Sequence, residues 1–521
     1  IDRAKNNTDS QEGFWSVEDE YLDAVELLVE MLISNQNTRE ALTLLDKLKT
    51  INDAALYNSP LVKAAKLSEE DLAEEKRLNQ RIQSLRKRYL NAQENDRFTI
   101  KQEIDRISAL REQILSEVNL NKSTPLSPVW AVQRSIDEDE LVLHFTEVGS
   151  TLYITRLTHN HIEITPFEFS GDTKEHFSKI ADALASGNTD LQALHEIYEQ
   201  LNLDDIPKQI QKISVIPDNF LYRIPLEVLP SHQPDSPFSF GSTRYLIEDY
   251  QFRYFTSLKE FESNRRSSFS GSNADFDFSG FGISDFSKFN GIDLPSLPYA
   301  TIETQNIQTT LSTFEEENKD IFTGDQATKE TFKSRVGNSR LVHVATHSEV
   351  SEQDPLFSTI YLTTRNPADT ALQSDQALYA YELFDTPLNS EFIMLNSCSS
   401  GSGNYIQGSG IMGISRALRY AGAQSLALNL WAVNDKIASE FATDFYTSIN
   451  KGNSKNKAIR EAKLNQLKTG NANPHFWGAY TMIGNPAPIT PKDNYHSLFL
   501  ILLALGTVMT GFMAYSSGKK V

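Results

Sequence analysis

The chain has 521 residues, 39% hydrophobic and 23% charged, which excludes a disordered polymer and exceeds what one hydrophobic core usually serves. Its net charge of −20 argues against nucleic acid as the main partner, because nothing offsets repulsion from phosphate. A single cysteine, Cys398, excludes an intramolecular disulfide and any all-cysteine metal site.

The chain opens on Ile1 rather than methionine, as a processed chain or a piece of a longer one would. Residues 16 to about 120 read as helices. Glu18, Asp19, Glu20 and Asp23 complement the dipole of a helix start. After Leu72, the residues Leu78, Ile82, Leu85 and Tyr89 recur at three- and four-residue steps. Ile100, Ile104, Ile107 and Ile114 resume that pattern after a polar break at Asn95-Asp96, as in a helical hairpin with a coiled-coil-like seam. Residues 1–124 are expected as a helical arm, packed on its own domain or offered to an activating protein. Residues 37–42 could close a tetratricopeptide-like repeat array, though one partial unit establishes no repeat.

Near Pro125 and Pro128 the pattern turns strand-rich, over about 129–170. Trp130-Ala131-Val132 reads as an opening strand, and 140–145 and 151–155 as a pair around Gly149-Ser150. A helical stretch over about 173–201 precedes an apolar strand, 213–216, ended by Pro217-Asp218-Asn219, where Asp218 reads as a turn former. Residues 263–275 read as a surface loop. From 278 onward strands and helices alternate: strands at 278–282, 341–345, 391–396 and 425–431, helices at 300–311, 410–421, 437–449 and 454–470. The strands are continuous apolar runs, the mark of a mostly parallel sheet buried on both faces. The run 498–515 is 18 uncharged residues bracketed by Tyr495 and Tyr515 and followed by Lys519 and Lys520. It reads as a single-pass transmembrane helix in the bilayer, against the alternative of a buried C-terminal helix. The lysines lean toward a cytoplasmic tail with the bulk outside, a tail-anchored chain being the other orientation.

Ligands of open α/β sheets bind beyond the carboxyl ends of the strands. One strand ends at Thr346-His347-Ser348, the next at Ser397-Cys398-Ser399, a third at Val433-Asn434-Asp435. If these strands are neighbours, His347 and Cys398 share a crevice. An imidazole can take a thiol proton, and the thiolate can attack a carbonyl carbon. The resulting oxyanion needs backbone donors, for which the amides of Ser348 and Cys398 are candidates. The competing readings are a buried core thiol and a histidine bonded to a strand-end backbone group. His343, mid-strand, reads as structural.

The pieces IPDNFLYRIPLEVLP (216–230), LPSLPYATIETQNI (294–307), FTGDQATKETF (322–332), LVHVATHSEV (341–350) and IMLNSCSSGSG (393–403) form an ordered series. It continues with GISRALRYAGAQSLALNLWAVND (413–435) and HFWGAYTMIGNP (475–486). In order and spacing this series resembles the CHAT domain, a caspase-like domain related to separases and found with helical repeats. The resemblance implies a cysteine peptidase fold, with the catalytic roles falling on His347 and Cys398. It departs from caspases in one place: they carry glycine directly after the histidine, and this chain carries Ser348. Asp435 lies at the wall where separase-like enzymes build the pocket for the residue before the cut, and would prefer Arg or Lys there; its other reading is a helix cap. The expected fold class is α/β: a caspase-like, mostly parallel sheet with helices on both faces over 125–490, preceded by the helical region and followed by one transmembrane helix (495–516) and a short basic tail (517–521). The expected function is a membrane-anchored cysteine endopeptidase acting on a protein substrate under a partner's control, with no cofactor. The alternatives are a non-catalytic scaffold that keeps the fold for protein contact, and a thiol acyltransferase sharing the dyad.

Overall fold

The computed structural model describes residues 19–50, 67–90, 92–117, 127–266, 274–289, 293–351, 355–364, 376–384, 386–397, 405–406, 410–411 and 413–489. Eleven strands form one sheet in the order β3-β2-β1-β4-β5-β16-β15-β12-β8-β6-β7. They are β1 Glu140–Val148, β2 Thr151–Leu157, β3 Ile162–Glu168, β4 Lys212–Ile216, β5 Gln251–Tyr254, β6 Phe276–Gly282, β7 Lys319–Thr323, β8 Ser339–Ala345, β12 Phe392–Asn396, β15 Ser425–Asn429 and β16 Tyr480–Gly484. Strands β9 (Ser348–Glu349), β10 (Thr359–Tyr361) and β11 (Ala377–Tyr379) make a small second sheet, and β13 (Tyr405–Ile406) pairs with β14 (Gly410–Ile411). Antiparallel pairing in the large sheet is confined to β1–β2, β2–β3 and β15–β16. The strand-rich stretch near 140–170 is therefore an antiparallel extension of the same sheet, joined through the parallel β1–β4 pair.

The central strands alternate between two cores. Leu341, Phe392, Met394 and Ala427 enter one, while Val342, Val344, Ile393, Leu395, Leu426 and Leu428 enter the other. The first core is covered by the helices Gly171–Ala185, Leu191–Gln200, Pro298–Thr310, Asp435–Asn450 and Lys455–Lys468, the second by Lys329–Val336 and Ile414–Ala421. The helix Pro298–Thr310 lies close on β6: a Cβ at Gly282 would stand 2.7 Å from the Ala300 carbonyl oxygen.

The helices Asp19–Ser34 and Thr38–Thr50 pack on the body of the protein, with Leu42 and Leu45 fully buried beside β1 and β2 residues. Lys49 Nζ donates to the Pro217 carbonyl at 2.7 Å and pairs with Asp218 at 3.1 Å. Asp218 thus does more than form a turn: it also accepts from the amides of Asn219 and Glu147, each at 3.0 Å. The helices Glu69–Leu90 and Glu94–Glu117 form a hairpin whose small core holds Leu78, Ile82 and Leu85 against Ile100, Ile104 and Ile107.

Four sequence expectations need correction. No helix among the described residues is long and apolar enough to cross a membrane. The two longest, 22 and 24 residues, carry charges along their length and pack as the hairpin. The stretch 495–521 lies outside the described residues; over the described residues the fold class is α/β with a helical N-terminal region and without a transmembrane helix, so the single-pass membrane placement and bilayer contact are not supported. Second, Trp130-Ala131-Val132 belongs to a short helix, Val129–Ser135, started by Pro128, with Trp130 exposed. Third, the stretch 173–201 is two helices, broken where Gly187 takes a φ of +80° and Asp190 caps the second. Fourth, the helix expected from 410 begins at Ile414, after the short β14.

Burial also leaves one lysine with a readable pH signature. Lys455 is 2% exposed, and its Nζ donates to the carbonyls of Asn485 (3.1 Å) and Ala487 (2.8 Å). Desolvation lowers its pKa to about 8 from 10.5. The unfolded chain therefore holds that proton more tightly, so stability is lowest below pH 8 and recovers as pH rises toward 10.5. That gap corresponds to roughly 3 kcal/mol. Denaturation midpoints of the wild type should rise relative to Lys455→Met between pH 7 and 10; parallel profiles would refute the assignment.

Candidate active site

Strands β8, β12 and β15 are adjacent and parallel, with Asn396 beside Ala345 and Leu395 beside Leu428, so their carboxyl ends emerge together. Ala345 and Thr346 at the end of β8, Asn396 and Ser397 at the end of β12, and Asn429, Val433, Asp435 and Ala438 at and after the end of β15 line one cleft. Leu297, Ala300 and Glu303 of the helix Pro298–Thr310 and its lead-in form the facing wall. The cleft is about 30 Å³, room for roughly one water. A larger hollow of about 690 Å³ lies on the helical hairpin, lined by Lys87, Arg88 and Asp96 among others. It is an open surface groove without a buried acid–base pair, so the strand-end cleft is the better candidate.

His347 sits two residues past β8 and is 7% exposed. Its Nε2 donates to the Pro295 carbonyl at 2.8 Å, and its ring lies 4.6 Å from that of Phe286. A carbonyl only accepts, so the neutral ring carries its proton on Nε2 and its basic lone pair on Nδ1. The backbone bond and base chemistry, which the sequence set against each other, are thus compatible. Ser348 opens β9, opposite Ile360. Among the described residues positive φ at non-glycine positions occurs at Gln36, Asn202 and Asn219, so no left-handed backbone at Ser348 calls for glycine. Ser397, 5% exposed, has a buried Oγ with no hydrogen-bond partner among the described residues. Cys398 and the loop to 404 lie outside the described residues.

Asp435 accepts from the Tyr299 amide at 2.7 Å. Burial raises its carboxyl above the ordinary aspartate value; Glu303 adds to this, while the Tyr299 amide and His347 oppose it. The helix-cap reading passes to its neighbour: the Asn434 side chain accepts from the amides of Lys436 (3.1 Å) and Ile437 (3.4 Å). His343 is fully buried, and its Nε2 lies 2.7 Å from Glu303 Oε1. Glu303 escaped the sequence reading. The helix buries Ala300, Glu303, Thr304 and Ile307 but exposes its apolar Tyr299 and Ile302, so hydrophobic periodicity gave no pointer to Glu303. Among the described residues no group of three or more His, Cys, Asp or Glu is arranged to hold a metal ion.

The family model described as the CHAT domain matches residues 188–485. Tetratricopeptide repeat protein 28 of Mus musculus is 27% identical over 201 residues, 33% of this chain and 8% of that protein. Its Homo sapiens counterpart is 25% identical over 204 residues, again 33% of this chain and 8% of that protein. The match thus spans less than a tenth of the length of these relatives. Among solved structures, the Saccharomyces cerevisiae separase–securin complex aligns with 91% of this chain and 38% of that chain at 11% identity and a TM-score of 0.42. The Arg-specific cysteine proteinase gingipain R aligns with 61% of this chain and 75% of that chain at 9% identity and a TM-score of 0.38.

Proposed function

Because this chain belongs to the CHAT domain family, we propose that it is a cysteine endopeptidase in which His347 and Cys398 form the working dyad. The observation that carries the reading is the adjacency of three strand ends: one leads to His347, the second to Ser397 just before Cys398, the third to Asp435. His347 Nδ1 takes the thiol proton, and the thiolate attacks the scissile carbonyl carbon. The amides of Ser348 and Cys398 hold the oxyanion. The imidazolium returns the proton to the leaving amine, and water hydrolyses the thioester. Asp435 receives a basic side chain at the residue before the cut.

The cleft among the described residues, about 30 Å³, is smaller than a Lys or Arg side chain, in keeping with control by a partner. The hairpin is a suitable handle. Gln83 donates to the Tyr381 carbonyl at 3.3 Å, Arg86 lies over the Tyr381 ring, and Tyr89 stacks on Phe357. Phe357 lies between β9 and β10 and Tyr381 two residues after β11, so these contacts adjoin the small sheet, whose first strand begins directly after His347.

The test is intact mass after exposure to an acyloxymethyl ketone bearing arginine. One adduct is expected, absent in Cys398→Ala. Labelling that survives Cys398→Ala, or wild type inert even with its activator, would sink the reading in favour of a scaffold. Asp435→Asn should slow the arginyl probe by roughly 10–100-fold while a leucyl probe changes little. Equal slowing of both probes would remove Asp435 from the pocket.

A further inference from the structure

We propose that Glu303 is a positioning residue for the dyad, tying the strand that leads to His347 to the strand that leads to Cys398; the inference rests on the peptidase reading above. A single carboxylate oxygen makes the tie. Glu303 Oε1 accepts from Asn396 Nδ2 at 2.7 Å and meets His343 Nε2 at 2.7 Å. The partner sites are neighbours across the β8–β12 pairing, with His343 opposite Met394 and Ala345 opposite Asn396. His343 stands four residues before His347, and Asn396 two before Cys398.

The proton assignment follows from burial. His343 Nδ1 is buried and has no hydrogen-bond partner among the described residues. An orphaned N–H costs more than an orphaned lone pair, so the proton sits on Nε2 and is donated to Glu303. Both bonds then run into one oxygen from two different strands. Glu303 is 1% exposed, His343 0% and Asn396 8%, so both bonds are made away from bulk solvent. An apolar residue would fill this buried position at lower cost if packing were the only demand. The helix that carries Glu303 also meets the rest of the site. Its lead-in supplies the Pro295 carbonyl to His347, and its first turn supplies the Tyr299 amide to Asp435. One rigid helix therefore sets the spacing of His347, Asp435 and the residue pair before Cys398. A shift near an ångström between reacting groups costs on the order of 100-fold in rate.

The experiment uses the whole chain and the arginyl ketone, with inactivation resolved into a maximal rate and a half-saturating concentration. Glu303→Ala should lower the maximal rate roughly 30-fold and leave half-saturation within about twofold. Glu303→Gln offers an amide oxygen that can take both bonds, and should keep at least about a third of the wild-type rate. Glu303→Asp, one methylene too short, should fall with alanine. Hydrogen exchange is read in parallel: peptides over 343–348 and 394–399 should exchange about tenfold faster in Glu303→Ala than in Glu303→Gln. Alanine at the wild-type rate, glutamine as impaired as alanine, or a loss confined to half-saturation would each overturn the proposal. If wild-type labelling proves independent of His347, the peptidase reading fails by itself. The exchange data then decide the tie: acceleration at both strand ends upholds it, and no acceleration refutes it.

Discussion

Alanine in place of His347 should lower the rate of covalent capture at Cys398 by about a thousand-fold near pH 7, the middle of the range for losing a general base. The folded state should survive, because the imidazole makes one side-chain hydrogen bond, to Pro295, and one ring contact, to Phe286. The pH profile carries the mechanism. Without the imidazole, the thiolate must form at the ordinary cysteine pKa of about 8.5, so the variant's rate should climb tenfold per unit up to that value and then level. The wild type, with Nδ1 available to the thiol, should already be fast near neutrality. Second-order rates from pH 6 to 10, with thermal melts on the same samples, make the comparison. Equal rates at pH 7 would leave Cys398 as an ordinary thiol and return the chain to the scaffold reading.

The central strands were legible because each is a short apolar run buried on both faces: 341–345, 391–396 and 425–431 in the sequence became Ser339–Ala345, Phe392–Asn396 and Ser425–Asn429. Their neighbourhood was not legible. It depends on crossovers that set β12 between β8 and β15, and periodicity carries no record of pairing. Strand β16, Tyr480–Gly484, is as long as β12 and β15 but was missed because Thr481 interrupts its apolar run. The helix at Val129–Ser135 was misread because Val, Trp and Ala suit a strand's pattern, and only Pro128 in front of them signals a helix start. The site was half legible. His347 and Cys398 stood out by position, whereas Glu303 lies on a buried helix face that hydrophobic periodicity does not mark, and only the two donors converging on it single it out. Lys49 carries no local signal of its partner; only the fold brings it to Asp218, 169 positions away.

The opposite end of the same strands carries the largest expected stability effect. Arg340, at the start of β8, donates through Nη1 to Asp277 of β6 at 3.0 Å and through Nε to Glu391, just before β12, at 2.5 Å. All three side chains are 3–6% exposed. Removing the guanidinium leaves two carboxylates buried without it, a loss of about 3–5 kcal/mol for a broken buried pair. Arg340→Ala should therefore lower the melting temperature by roughly 3–6 °C. Arg340→Met combined with Asp277→Asn and Glu391→Gln should recover much of that loss, because what destabilises is the stranded charge and not the missing attraction. The two ends of β8 then predict opposite signatures. Arg340 lies at the strand starts, away from the cleft, so its variants should lose melting temperature while the folded fraction still labels Cys398 at the wild-type rate. Glu303 lies at the strand ends, so Glu303→Ala should lose labelling rate out of proportion to its melt. A melting temperature unchanged in Arg340→Ala would mean that Asp277 and Glu391 find water or other donors there, and that the three strand starts are held by their backbone pairing and core packing alone.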